Sequence, residues 1–214
     1  MGRMQHTKVL ALAFLINTLL TIVEYGAGAL SGSASLLADG SQNLTDSLVI
    51  IISFICERVA ARPLTTKRRI AEIYRFAASI NAGILMLLAI AIGTLAFYRV
   101  MHPHALNSSI VITTGILSVV INWWAASLFF ATRRDATVAA PYIGLLFSGL
   151  SGVGVLASGL ASRMWGLQQV DGLVGIAIAA LLFARSGRML INALWRPKAL
   201  LKKINRLYGW ARLP

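Results

Sequence analysis

Long apolar stretches recur along the whole chain, and each is close to the length that a helix needs to cross a bilayer. The hydrocarbon core takes about 20 predominantly apolar residues per helix. The pattern predicts membrane spans at about residues 9–30, 36–57, 73–99, 108–131, 137–161 and 169–190. Of the 214 residues, 57% are hydrophobic and 13% charged, and an ordinary soluble domain is about 25% charged. The sequence therefore predicts an all-α membrane protein, a six-transmembrane-helix bundle within residues 1–196.

Basic residues are concentrated in alternate connections between these stretches. They precede the first predicted span, separate the second from the third and the fourth from the fifth, and lie at or after the end of the sixth. The remaining connections hold only Arg99 and Arg163. By the positive-inside rule we expect both termini and the two basic loops in the cytoplasm. Topology and anionic lipid account for the net charge of +13, so the bilayer and not nucleic acid is the expected partner. We expect the bacterial inner (plasma) membrane.

The two ends of the chain need separate interpretation. The apolar run after Arg3 and Lys8 is too long for the core of a signal peptide, and we interpret it as the first helix. Residues 197–214 predict a short basic cytoplasmic tail, either an amphipathic segment on the membrane surface or a frayed end. We expect no C-terminal cytoplasmic domain, because this tail is too short for one. The lone Cys56 is expected to pack as a small apolar residue.

The most polar stretch in any predicted span covers residues 39–46 of the second. Charges inside a bilayer are costly, so they usually face the interior of a bundle. At 3.6 residues per turn, Gln42 and Asp46 share one face, as do Asp39 and Asn43. Their oxygens suit a hard or borderline divalent cation, or a proton-carrying group. Hydrogen bonding that only locks the helices together is the alternative. That structural interpretation is preferred for four other polar residues within the predicted spans: Glu24, Asn17, Asn81 and Asn122. The loop residues His102 and His104 are expected to be placed incidentally and not to form a zinc site.

Several ordered motifs resemble the cation diffusion facilitators. Ser31–Ser33, then Leu36–Asp39 and then Asp46, resemble the signature of that family's first two helices. The likeness continues over residues 9–196 through the following segments: Arg69–Glu72 with Ala78 and Asn81, Tyr98–Pro103, Asn122, Val170–Val174, and Ser186 with Gly187. The resemblance implies export of a divalent metal such as zinc, manganese, iron or cobalt from the cytoplasm in exchange for protons, usually by a dimer. It implies no enzyme activity and no cofactor, the metal being the substrate.

The resemblance also implies a metal site formed by two positions four apart on the second helix and two on the fifth, typically His or Asp. On this sequence they map to Gln42 and Asp46, and to Gly144 and Ser148. One of the four is a carboxylate and none is His, so the predicted metal site is degenerate. No His, Asp or Glu occurs at residues 136–169. The predicted metal-site residues are Asp46, Gln42, Asp39, Asn43 and Ser148.

Two functions are therefore open. The first is a metal cation/proton antiporter centred on Asp46. The second is a non-transporting subunit or scaffold that has lost the metal site and pairs with a complete relative. A homodimer or a heterodimer with a complete family member is the expected assembly.

Overall fold

The computed structural model describes residues 3–60, 67–130 and 136–195, and these ranges form six helices and no strand. The helices are α1 (Arg3–Ser31), α2 (Ala34–Ala60), α3 (Lys67–Met101), α4 (Ser108–Phe129), α5 (Ala136–Trp165) and α6 (Gln169–Trp195). One helix coincides with each predicted span, so the all-α prediction is confirmed for the described part of the chain. The predicted tail at residues 197–214 and the Cys56 side chain lie outside what the structure describes.

Five of these helices are long and apolar enough to cross a membrane. The candidate spans are Ala11–Ser31, Arg75–Met101, Ser108–Phe129, Tyr142–Trp165 and Gln169–Leu194. Helix α2 does not qualify on composition, because the polar stretch at residues 39–46 interrupts its apolar sequence. It packs against all five other helices, so protein and not lipid surrounds its polar side chains.

Polar and apolar side chains are distributed as in a membrane bundle. Leu30, Phe76 and Leu87 are 70–80% exposed, and large apolar residues cover the outer faces of every helix for which exposure is described. Glu24 and Asp39 are completely buried. In a water-soluble protein, charged residues are almost never fully buried unless paired, and large contiguous apolar patches are rarely exposed. Together with the apolar helices, this distribution identifies an integral membrane protein.

Two apolar clusters flank the polar stretch along α2. One includes Leu36 and Ala38, just before it, and the other includes Ile50, just after it. The first is completed by residues of α3, α4, α5 and α6, and the second by residues of α1, α4 and α5. We call the buried polar side chains between them the polar layer. It comprises residues 39–46 of α2 and the side chains that contact them.

Candidate cation site in the bundle interior

Asp46 lies at the middle of α2 and is held by α5 and α6. Its Oδ1 accepts a hydrogen bond from Nη2 of Arg185 at 2.8 Å. Its Oδ2 accepts from the Ser148 hydroxyl at 2.9 Å. The Asp46 side chain is 1% exposed and that of Arg185 is 38% exposed. A charge in the bundle interior is thus paired with an opposite charge, which is how intramembrane carboxylates are usually stabilised.

Gly144, one turn before Ser148 on α5, lets the backbone of α5 approach Asp46 closely. A Cβ at this position would lie 2.5 Å from Oδ1 of Asp46, well inside van der Waals contact. The α5 positions mapped from the family resemblance therefore do face Asp46. Gly144 brings no ligand, however, and Ser148 brings one hydroxyl. The role of these residues in metal binding stays a prediction.

Gln42 lies one turn before Asp46 and also faces α5. Its Oε1 accepts a hydrogen bond from the Ser151 hydroxyl at 3.1 Å. Ser151 was not among the predicted site residues, although its spacing of three from Ser148 puts both on one helical face. The side of the polar layer that faces α5 thus presents a carboxylate, an amide oxygen and two hydroxyls.

Asp39 and Asn43 lie on the other polar face of α2, towards α1 and α4. Oδ2 of Asp39 accepts from the Ser118 hydroxyl at 2.8 Å. Nδ2 of Asn43 donates to both carboxylate oxygens of Glu24, at 2.8 and 2.7 Å. The carboxyl groups of Glu24 and Asp39 are close enough to interact electrostatically. This second group of side chains therefore includes Glu24, for which the sequence favoured a structural role over a functional one.

Part of this second group has no hydrogen-bond partner among the described residues. Three buried oxygens lack such a partner: Oδ1 of Asp39, of Asn43 and of Asn122. The amide nitrogen of Asn122, in contrast, donates to the Ser118 hydroxyl at 3.2 Å. Within the described ranges, no three His, Cys, Asp or Glu side chains are grouped so that they could hold a metal ion. The atoms of the polar layer that could bind a metal are carboxylate, amide and hydroxyl oxygens, which suit hard cations better than zinc.

Asp171 ties the beginning of α6 to the beginning of α2. Its Oδ1 accepts from the hydroxyls of Ser33 and Ser35 at 2.6 and 2.5 Å. Its Oδ2 accepts from the backbone N–H of Ala34 at 2.7 Å. A carboxylate at the N-terminus of a helix satisfies free N–H groups and complements the helix dipole. Sequence analysis had placed Asp171 only within a family motif, and its capping role comes from the structure.

The two histidines of the α3–α4 connection have different partners. The His102 ring stacks on Tyr98 with centroids 4.5 Å apart. Nδ1 of His104 lies 2.7 Å from Nη1 of Arg99. Partial burial and the Arg99 guanidinium lower the pKa of His104 below its usual value.

Comparison with known proteins places this sequence in a family. The family model for the cation efflux transmembrane domain matches residues 10–195, from α1 to the end of α6. The chain belongs to the cation efflux family. The cation diffusion facilitators are the same family under another name, so the resemblance found in the sequence is confirmed.

Similar members of the family carry transporter names. The zinc transporter ZitB of Yersinia pestis is 26% identical over 190 residues, which are 86% of this chain and 61% of ZitB. The metal cation efflux system protein CzcD of Cupriavidus metallidurans is 26% identical over 193 residues, 88% of this chain and 61% of CzcD. The cadmium, cobalt and zinc/H(+)-K(+) antiporter of Bacillus subtilis is 27% identical over 188 residues, 85% of this chain and 60% of the antiporter. The matched part thus covers about three fifths of each relative's length.

Proposed function

We propose that this protein transports a divalent metal cation out of the cytoplasm in exchange for protons. The observation that carries the proposal is Asp46, a buried carboxylate at one of the helix-two positions where the family resemblance implies a metal ligand, which contacts Ser148 at an implied position on α5. The names of the relatives, which include zinc, cadmium and cobalt transporters, support it. The protein is then a transporter and not an enzyme, with the metal as substrate and no cofactor.

The proposed topology has six spans with both termini in the cytoplasm of a bacterial inner membrane. In addition to the five apolar helices, α2 also crosses the membrane, because its polar side chains are enclosed by the five other helices. The charge segregation of the connections supports the orientation. Asp46 is 1% exposed, so transport requires the helices to shift between inward-open and outward-open arrangements.

The oxygen atoms around Asp46 favour a hard divalent cation among the metals that the family resemblance implies. The candidate oxygen ligands are those of Asp46, Gln42 and Ser148, and Asp39 lies two helical turns before Asp46 on α2. Manganese accepts such a set, whereas zinc prefers imidazole or thiolate ligands. We therefore expect manganese to be a better substrate than zinc.

The test is metal uptake into vesicles that contain the purified protein, with a pH gradient across the membrane. Asp46→Asn keeps the size of the side chain and removes its charge, so we expect uptake to fall at least about tenfold, since an intramembrane charge is usually functional. Arg163→Gln, an exposed change at the end of α5, is the matched control and should leave uptake unchanged. Equal uptake by Asp46→Asn and the unchanged protein for manganese, iron, cobalt and zinc would contradict the proposal.

The non-transporting subunit remains the second candidate, and one observation favours it. The α5 positions facing Asp46 supply one hydroxyl between them, and Arg185 already neutralises the carboxylate. A protein that takes up no metal alone, but co-purifies with a complete member of the family, would establish this role. Uptake by the purified protein would exclude it. A dimer, with itself or with such a relative, is proposed in both cases.

A further inference from the structure

We propose that the Arg185 guanidinium is a tethered cation that occupies Asp46 whenever no metal is bound, and that metal binds by displacing it. The inference rests on the proposed function and names the residue that sets the affinity of the same site. Its starting point is the contact of 2.8 Å between Nη2 of Arg185 and Oδ1 of Asp46.

The surroundings of Asp46 leave little room for a metal beside the guanidinium. Its Oδ2 is engaged by Ser148, and Oδ1 is approached by Arg185 and by the α5 backbone at Gly144. A metal ion that coordinates Oδ1 therefore needs the space that the guanidinium holds. Steric competition is the first reason to expect displacement.

Charge balance is the second reason. Asp46 and Arg185 together are neutral, which suits an interior of low dielectric constant. A divalent ion added beside the pair would leave two uncompensated positive charges, whereas an ion that replaces the guanidinium leaves one. Asp39, two helical turns before Asp46 on α2, can offset part of the remaining charge when it is ionised. The guanidinium and the metal are thus alternatives for one carboxylate.

The different exposure of the two side chains makes the exchange physically accessible. Asp46 is 1% exposed and cannot leave the interior, while Arg185 is 38% exposed and reaches inwards from α6. When Arg185 swings away, its charge moves towards the surface of the bundle and its long stem can follow the apolar surface. Arginine stays protonated in proteins, so it is a permanent competitor. Tethering gives such a competitor an effective concentration of roughly millimolar.

The competing explanation is that the ion pair only holds α6 against α2. The two explanations differ in what happens to metal binding when the guanidinium is removed. Competition predicts tighter binding, whereas a purely structural pair predicts unchanged or weaker binding and a loss of stability.

The first experiment titrates the purified full-length protein with manganese by calorimetry at mildly alkaline pH, which limits competition by protons. We expect Arg185→Gln to bind manganese at least about tenfold more tightly than the unchanged protein, because a tethered competitor has been removed. Arg188→Gln, an exposed arginine three residues later on α6, is the matched control and should bind as the unchanged protein does. The gain should vanish in the double variant Asp46→Asn/Arg185→Gln. Binding by Arg185→Gln that is no tighter than in Arg188→Gln, or a gain that survives in the double variant, would overturn the inference.

A second measurement needs no variant and covers the case in which Arg185→Gln does not fold. Phenylglyoxal modifies exposed arginines, and mass spectrometry reports the rate at each site. We expect saturating manganese to accelerate modification of Arg185 several-fold and to leave the rate at Arg188 unchanged. A rate at Arg185 that manganese does not raise would contradict displacement.

Failure of the inference and failure of the proposed function give different results. Metal uptake by the unchanged protein, with binding that Arg185→Gln does not improve, would refute the tethered cation and leave transport intact. Tighter binding by Arg185→Gln without uptake by any variant would refute transport and leave the tethered cation intact.

Discussion

Asp171 caps α2 from another helix. Its carboxylate contacts the Ala34 N–H and the hydroxyls of Ser33 and Ser35, across a sequence distance of more than 130 residues. An N-terminal cap is usually supplied by a residue next to the helix it serves. Here the same interaction also fixes the position of α6 relative to α2, and α6 carries Arg185. The capping carboxylate therefore helps to position Arg185 relative to Asp46 in the candidate cation site.

We expect Asp171→Ala to lower the free energy of unfolding by about 1–3 kcal/mol, because it leaves buried N–H and hydroxyl donors without their acceptor. Asp171→Asn retains one acceptor oxygen and should cost less. Thermal unfolding in detergent measures both, with Gln169→Ala, an exposed change in the same turn of α6, as the control. An Asp171→Ala protein as stable as the Gln169→Ala protein would show that the cap contributes nothing.

Helices α4 and α5 approach each other through glycines. A Cβ on Gly115 of α4 would lie 2.9 Å from the backbone nitrogen of Leu156 on α5. A Cβ on Gly152 of α5 would lie 2.9 Å from the hydroxyl of Ser118, which binds Asp39. Small residues at helix interfaces allow this close packing, which drives association in membranes. The close contact of these two helices therefore also sets the position of part of the polar layer.

Gly115→Ala should destabilise the bundle by about 1–3 kcal/mol, since the added methyl group meets backbone that can yield only if the whole helix moves. Gly83→Ala on α3, where a Cβ has no neighbour within 4 Å, is the matched control. Alanine is the better helix former there, so the control should be neutral or slightly stabilising. Midpoints of thermal unfolding distinguish the two, and equal midpoints would mean that α4 and α5 tolerate separation.

At the scale of the whole molecule, polarity is arranged in layers. A buried polar layer lies between two apolar clusters along α2, and apolar side chains cover the outside of the bundle. Asp46 lies in this polar layer and its side chain is 1% exposed. In the transport cycle proposed above, the helices around this layer have to move before a cation can reach Asp46.

The proposed orientation can be measured with single cysteines, because Cys56 is the only natural one and can be replaced by serine. We expect a membrane-impermeant maleimide added to intact cells to label Ala105→Cys, an exposed position between α3 and α4. Thr65→Cys and Asp135→Cys, in the two basic connections, should be labelled only after the membrane is opened. Labelling of position 65 in intact cells would show that α2 does not cross the membrane in the proposed direction.

The sequence by itself determined the helices, the membrane class and the family, because span length, charge segregation and ordered motifs are local or additive properties of the chain. It also determined that Gln42 and Asp46 share one face of α2 and that Asp39 and Asn43 share another, since this follows from helical periodicity. Periodicity does not say which helix each face meets.

Only the tertiary structure decided the partners of these residues. Arg185 is 139 residues from Asp46, and in the sequence it stands out only as one of the basic residues at or after the end of the last span. Glu24 and Asn43 meet because α1 and α2 pack as neighbours. An intramembrane charge takes whichever partner the packing of the helices brings within a few ångströms. That packing depends on the surfaces of all the helices together, and no local pattern encodes it.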